Sequence, residues 1–175
     1  MFTDMAGYSG IAQRDERLAL GLLEEHREII RGILLRFHGI EIKTIGDAFL
    51  FEFDSALEAS QCAIEVQRPL AKRNHDVPSR RRIDIRIGIH IRDVVHREND
   101  LYGDGVNIAS RIQALAPDGG VCISTDVERQ IRSTLEAPLK KLAPMELKNI
   151  HIPMDDENGA DQAAPLLAII LLAII

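Results

Sequence analysis

The stretch EIKTIGDAFLFEF, residues 41–53, constrains this chain more than any other part of it. Apolar residues alternate on either side of Gly46-Asp47, which reads as two strands, residues 40–45 and 48–53, joined by a tight turn. Glycine supplies the positive φ that a type II′ turn needs at its first position. Asp47 then stands at the tip of a rigid hairpin, where a carboxylate can face an ion. Lys43 projects from the same strand pair. Taken by itself the segment is more simply a surface turn with a solvated acid and cation. The rest of the chain shifts that balance.

At 175 residues the chain is one domain, long enough to bury a proper core. Its formal charge of −6 argues against a general nucleic-acid binder, whose footprint is basic. An acidic protein that handles an anionic nucleotide needs a metal ion or a local cluster of cations. Cys62 and Cys122 lie far apart with no CxxC, which suggests reduced thiols and a cytoplasmic setting. The start of the chain carries no secretory pattern.

From the beginning, Phe2-Thr3-Asp4 reads as the end of a strand, and residues 5–9 as a turn around Gly7. A helix is expected over residues 15–38, with Leu18, Leu22, Leu23, Ile30, Ile33 and Leu34 among its apolar positions and Gly39 as its stop. Free backbone N–H groups in the turn beside a helix start make an anion site suited to phosphate. Asp54 or Ser55 caps a second helix reaching about residue 73, whose Ala56, Ala59 and Ala63 let it lie close to a sheet. Arg80-Arg81-Arg82 is a solvated basic run with no catalytic role assigned.

Residues 83–91 alternate strictly and form the clearest strand, followed by a shorter one over 93–98. A glycine-bearing loop, residues 99–105, feeds a helix over 106–115. Asn107 and Arg111 lie one turn apart on that helix, opposite a buried stripe of Ile108, Ile112 and Leu115. Such a pair beside a glycine loop suits a ribose or a phosphate, although a solvent-facing pair is the commoner origin. Residues 121–123 form a buried strand and 124–132 a helix capped by Ser124 or Thr125. A final strand pair is expected over 139–142 and 145–152, with Lys148 near its middle.

The resulting order gives an α+β fold with a ferredoxin-like βαββαβ core, an antiparallel-rich sheet covered by helices on one face. Residues 153–175 are read as an acidic and then apolar tail without an assigned role. Its closing apolar run is shorter than the roughly 20 residues a membrane helix needs, leaving room only for a weak peripheral contact.

Three segments together carry a resemblance: FTDMAGYS at residues 2–9, IKTIGD at 42–47, and DLYGDGVNIASR at 100–111. In this order and at these intervals they resemble the signature blocks of class III nucleotidyl cyclases, closest to bacterial adenylate cyclase catalytic domains. The resemblance covers residues 1–152. A catalytically silent nucleotide-binding or dimerisation module is the competing reading, disfavoured because every matched residue is kept. A diguanylate cyclase is disfavoured because Ile45-Gly46-Asp47-Ala48 stands where a GGDEF-like hairpin would be.

The resemblance implies a role for each matched position. Asp4 and Asp47 match the two metal-binding aspartates, with the Met5 carbonyl as a further ligand. Met5, Ala6, Gly7, Tyr8 and Ser9 match the segment that wraps the β- and γ-phosphates. Lys43 and Asp100 match the purine-reading pair in its adenine-selecting combination, so ATP is the expected substrate. Asn107 matches the residue that orients the ribose, and Arg111 the arginine that stabilises the transition-state phosphate. Lys148 matches a lysine that contacts the triphosphate. Two Mg²⁺ or Mn²⁺ ions per site are implied, and hard carboxylate and phosphate oxygens suit such ions better than zinc. The resemblance further implies a homodimer with two equivalent sites, Asp4 and Asp47 coming from one protomer and Lys43, Asp100, Asn107 and Arg111 from its partner.

Overall fold

The computed structural model describes residues 1–92, 95–97, 100–102, 104–141 and 169–171, with side chains for 1–92 and 105–140. Its elements are β1 (Phe2–Met5), α1 (Tyr8–Arg14), α2 (Glu16–Leu34), β2 (Ile40–Ile45), β3 (Ala48–Glu52), α3 (Ala56–His75), β4 (Ile85–Ile89), β5 (Val95–Arg97), β6 (Asp100–Tyr102), α4 (Asp104–Leu115), β7 (Val121–Ile123), α5 (Thr125–Ile131), β8 (Leu139–Lys141) and β9 (Ile169–Leu171). Seven strands form one sheet in the order β2-β3-β1-β4-β7-β9-β8, and β5 and β6 form a separate antiparallel pair.

The first four strands stand in the order a ferredoxin-like core requires, with β1 antiparallel to both neighbours. Beyond them β7 runs parallel to β4. Alternation along β1 and β4 decides which side of the sheet each residue meets. Thr3, Met5, Ile85, Ile87 and Ile89 are buried toward α2 and α3, where Phe49 and Phe51 stack at 5.2 Å between ring centroids. The opposite face carries Phe2, Asp4, Arg86 and Gly88.

That second face is covered too, which alternation alone did not reveal. Helix α4 lies across β4, β1 and β7, packing Ile108, Ile112 and Ala116 against Cys122. Gly88 makes this possible: a Cβ there would strike the Ala109 carbonyl oxygen and the Gln113 nitrogen. The sheet is therefore layered by helices on both sides.

Local chemistry accounts for most boundaries. Asp15 Oδ1 accepts the Leu18 N–H at 2.9 Å and starts α2, so the helix expected over 15–38 begins on its cap. The segment before it, expected to be only a turn, forms the short helix α1. Past α2, His38 takes the left-handed conformation, φ 54°, while Gly39 is required for space beside Leu34 and Phe53. Ser55 rather than Asp54 caps α3, and Ser124 rather than Thr125 caps α5. Residues 100–102, expected within a loop, pair with β5 as strand β6.

Tail residues Ile169–Leu171 form β9, inserted between β7 and β8. The strand expected over 145–152, with Lys148, lies outside the described residues. Among the described residues no helix is long and apolar enough to cross a membrane.

His26 is one of the buried groups that titrate. It is fully buried beside Phe49, 5.4 Å between ring centroids, with neither ring nitrogen bonded to a described residue. Burial holds its pKa down at about 4 against an ordinary 6.5. The unfolded chain takes the proton first, so this contribution to stability is whole above pH 6.5 and is lost as pH falls through about 4. A loss of about 3 kcal/mol follows from a shift of that size. Urea unfolding between pH 7 and 4 should show the decline, and His26→Leu should flatten it.

Candidate active site

The sheet and one turn bring Asp4 and Asp47 together. Asp4 lies on β1, on the face shared with α4. The β2–β3 turn has Gly46 at φ 64° and Asp47 outside the left-handed region, the pattern a type II′ turn requires. Just past the end of the β1–β3 ladder, Asp47 Oδ2 accepts the Met5 N–H at 3.1 Å. That bond sets the Asp47 carboxylate beside Asp4. From α2, Arg27 Nη2 donates to the Gly46 carbonyl at 3.2 Å and braces the turn.

The pair is electrostatically unfavourable by itself. Partial burial, reinforced by the Asp47 charge and a hydrogen bond between the two carboxyl groups, pushes the Asp4 pKa up to about 6. Arg86 opposes the shift more weakly. Two carboxylates compressed until one prefers its proton suit a divalent cation, which replaces repulsion by shared attraction. Among the described residues no third acidic, histidine or cysteine side chain joins them, so further oxygens have to come from backbone, water or a bound phosphate.

Sequence reasoning missed Arg86. It pairs in register with Asp4 across β1 and β4, and its guanidinium is held by Asp118 Oδ1 at 2.8 Å. Its place at an outward position of the alternating strand was legible, but nothing local says that β4 would lie beside Asp4.

The turn after Asp4 is less open than expected. The Met5 N–H is taken by Asp47, and the Ala6 N–H by the Asp84 carbonyl at 2.8 Å. Gly7, at φ 73°, begins α1, and the N–H groups of Gly7, Tyr8 and Ser9 make no backbone bond among the described residues. The Met5 side chain is buried in the core and Tyr8 packs against it. The turn's N–H groups without a backbone bond among the described residues thus narrow to residues 7–9.

The other expected residues fall on neighbouring elements. Lys43 projects from β2 on the face shared with Asp4, paired in register with Leu50. Strand β6, which carries Asp100, packs against β2, the strand that carries Lys43, while the Asp100 side chain lies outside the described residues. On α4, Asn107 is exposed and Arg111 half-buried one turn later. Asp4 and Lys43 thus share one face of the sheet with α4, which carries Asn107 and Arg111, while Asp100 sits in the separate β5–β6 pair and Lys148 lies outside the described residues.

Comparison with known proteins decides the family. The sequence model of the adenylate and guanylate cyclase catalytic domain matches residues 1–156. The chain belongs to that family. A crystal structure of an adenylate/guanylate cyclase/hydrolase from Silicibacter pomeroyi superposes with a TM-score of 0.78 at 33% identity, covering 97% of this chain and 92% of that one. A relative from Rhizobium meliloti (strain 1021) is 36% identical over 152 residues, 86% of this chain and 26% of its own length. An adenylate cyclase from Streptomyces coelicolor is 31% identical over 143 residues, 81% of this chain and 36% of that protein. The chain thus spans only about a quarter to a third of the length of these two relatives. This cyclase catalytic domain is the mixed α+β fold expected from the sequence.

Proposed function

We propose that the chain is an adenylate cyclase, converting ATP to 3′,5′-cyclic AMP and pyrophosphate at a site shared between two copies, for intracellular signalling in the cytoplasm. The observation that carries this is the Asp4–Asp47 pair, forced together on one sheet face with an elevated pKa. A fold gains nothing from such compression unless a cation occupies it.

Asp4 and Asp47 would hold two Mg²⁺ or Mn²⁺ ions, with the Met5 carbonyl as a further ligand. When bound, these ions supply charge that favours ionisation of the ribose 3′-hydroxyl and neutralises the departing pyrophosphate. The chain's own groups do the rest by position. The N–H groups of residues 7–9 face the β- and γ-phosphates from the start of α1, and Arg86 adds a fixed cation beside Asp4. Lys43 and Asp100 present a donor and an acceptor that fit adenine N1 and its 6-amino group. Asn107 orients the ribose so that its 3′-oxygen lies in line with the α-phosphorus. Arg111 answers charge that grows on the α-phosphate oxygens in the transition state. Lys148 adds a contact to the triphosphate.

Two apolar residues support the shared site. Ile40 and Ile45 on β2 are 56% and 55% exposed on the face that carries Lys43. A second copy seated on that face would take both out of water. Domain limits of 1–152, with 153–175 apart from the catalytic unit, remain the reading of the signature blocks, while β9 ties the tail to the sheet.

Product analysis of the purified chain with Mn²⁺ tests the reaction. ATP should yield cyclic AMP and GTP little cyclic GMP. Lys43→Glu with Asp100→Cys should reverse that preference. Cyclic GMP as the main wild-type product would overturn the adenine assignment.

A further inference from the structure

The Arg80-Arg81-Arg82 run is not used by the proposed reaction, yet two of its members line a cavity. It opens between the α1–α2 junction and the turn ahead of β4, with a volume of about 590 Å³, within the range typical of small-molecule sites. We propose that this cavity binds a small molecule bearing a phosphate or diphosphate group.

Three arginines line it: Arg14 from the end of α1, and Arg80 and Arg81 from the 3₁₀ turn Ser79–Arg81. Asp15 is the one carboxylate in the lining, and its Oδ1 already accepts the Leu18 N–H. Neither the Arg80 nor the Arg81 side chain forms a hydrogen bond or ion pair with a described residue. Glu25 lies close enough to feel the Arg81 charge, but it is held by Arg73 and does not line the cavity, so the lining carries three arginines against one carboxylate. An anion that pairs with these groups relieves their mutual repulsion, and the planar guanidinium fork fits phosphate oxygens two at a time.

The backbone that carries the cationic rim is held in place before any ligand arrives. Arg14 Nε donates to the Gly10 carbonyl at 2.8 Å, which leaves its Nη groups for a ligand. The 3₁₀ turn is closed by Arg81 N–H to Pro78 O at 2.8 Å and Arg82 N–H to Ser79 O at 3.2 Å. Arg73 Nη1 donates to the Arg81 carbonyl at 2.7 Å and fastens the turn to α3. Such anchoring lowers the ordering cost of binding. Ile11 and Leu18 supply an apolar wall, so the ligand carries an organic body as well as its phosphate. Gly7 also lines the cavity, so occupancy would stiffen the turn that follows Asp4.

Calorimetric titration with sodium pyrophosphate in EDTA tests the site without turnover and without the cations that the Asp4–Asp47 pair would hold. Saturable binding of one anion per chain is expected, at least tenfold weaker in the double variant Arg80→Gln/Arg81→Gln and unchanged in Arg86→Gln. The substituted side chains are exposed, so the double variant should melt at the wild-type temperature and keep its basal turnover. Wild-type affinity in the double variant, loss of binding only in Arg86→Gln, or no saturable binding in the wild type would each overturn the proposal. The outcome does not depend on whether the chain cyclises ATP.

Discussion

Asp47→Asn removes cyclase turnover while leaving the chain folded, with kcat/KM lower by on the order of 10²–10³-fold. The amide oxygen can still accept the Met5 N–H, so the turn keeps its place while one of the two charges disappears. Stability should move the opposite way to activity. Without a cation, Asp4 titrates at about 6 instead of 3.8, so the folded state binds its proton more tightly than the unfolded state does. Its contribution to stability is present at pH values below 3.8 and is lost as pH rises through about 6. Removing the Asp47 charge lifts part of that cost, while burial, the larger cause, remains. Melting in EDTA at pH 7.5 should therefore show Asp47→Asn as stable as wild type or more so, the difference closing toward pH 4. Mn²⁺ should raise the wild-type melting temperature and leave the variant nearly unchanged. An equal Mn²⁺ shift in both chains would remove the carboxylate pair as the cation site.

Gly88→Val should be the most damaging single change in the sheet. Its side chain would enter space held by the Ala109 carbonyl oxygen and the Gln113 nitrogen of α4. Overpacking a core costs roughly 1–3 kcal/mol when side chains can shift, and backbone obstacles put this site at or above the upper end. For a chain of this size each kcal/mol lowers the melting temperature by roughly 2–4 °C. Turnover should fall further than stability, because Asn107 and Arg111 ride on the displaced helix. Gly32→Ala serves as the control: nothing lies within 4 Å of its added Cβ, and a helix-interior alanine gains about 0.5–1 kcal/mol. A Gly88→Val chain with wild-type melting and turnover would show that α4 does not need this close approach.

The two sites differ in how plainly the sequence announces them. Gly46-Asp47 between alternating runs predicted the hairpin with the bounds Ile40–Ile45 and Ala48–Glu52, one residue short of the expected end. The short apolar run after Gly119-Gly120 marked Val121–Ile123 as a buried strand, and serine caps fixed α3 and α5 to within a residue or two. Such features are local, and local chemistry decides them. Helix α1 was hidden by Gly7, Ser9 and Gly10, which read as a turn because helix propensity is poor there. The packing of α1 residues Tyr8 and Ile11 on the core overrides that preference.

Non-local arrangements were harder to read. Strand β6 is three residues long, too short for a period to show, and pairing with β5 is what defines it. The closing apolar run has no alternation, so its place between β7 and β8 could not be inferred from composition. Gly88 sat in view within a strict alternation, but only the arrival of α4 gives it meaning. The same holds for Arg86, whose importance comes from a register partner 82 positions earlier, Asp4. Asp4 and Asp47 were identified through the signature blocks rather than through any local pattern, and the fold then brought them into contact.

Activity recovered by mixing two silent chains tests the shared site most directly. Asp47→Asn lacks a cation ligand and Arg111→Ala lacks the transition-state arginine, so neither should make cyclic AMP alone. In an equal mixture half of the dimers pair one variant with the other, and each of those holds one intact site of two. About a quarter of the wild-type rate should return. A mixture that stays silent beside an active wild type would place every catalytic group within a single chain and contradict the account.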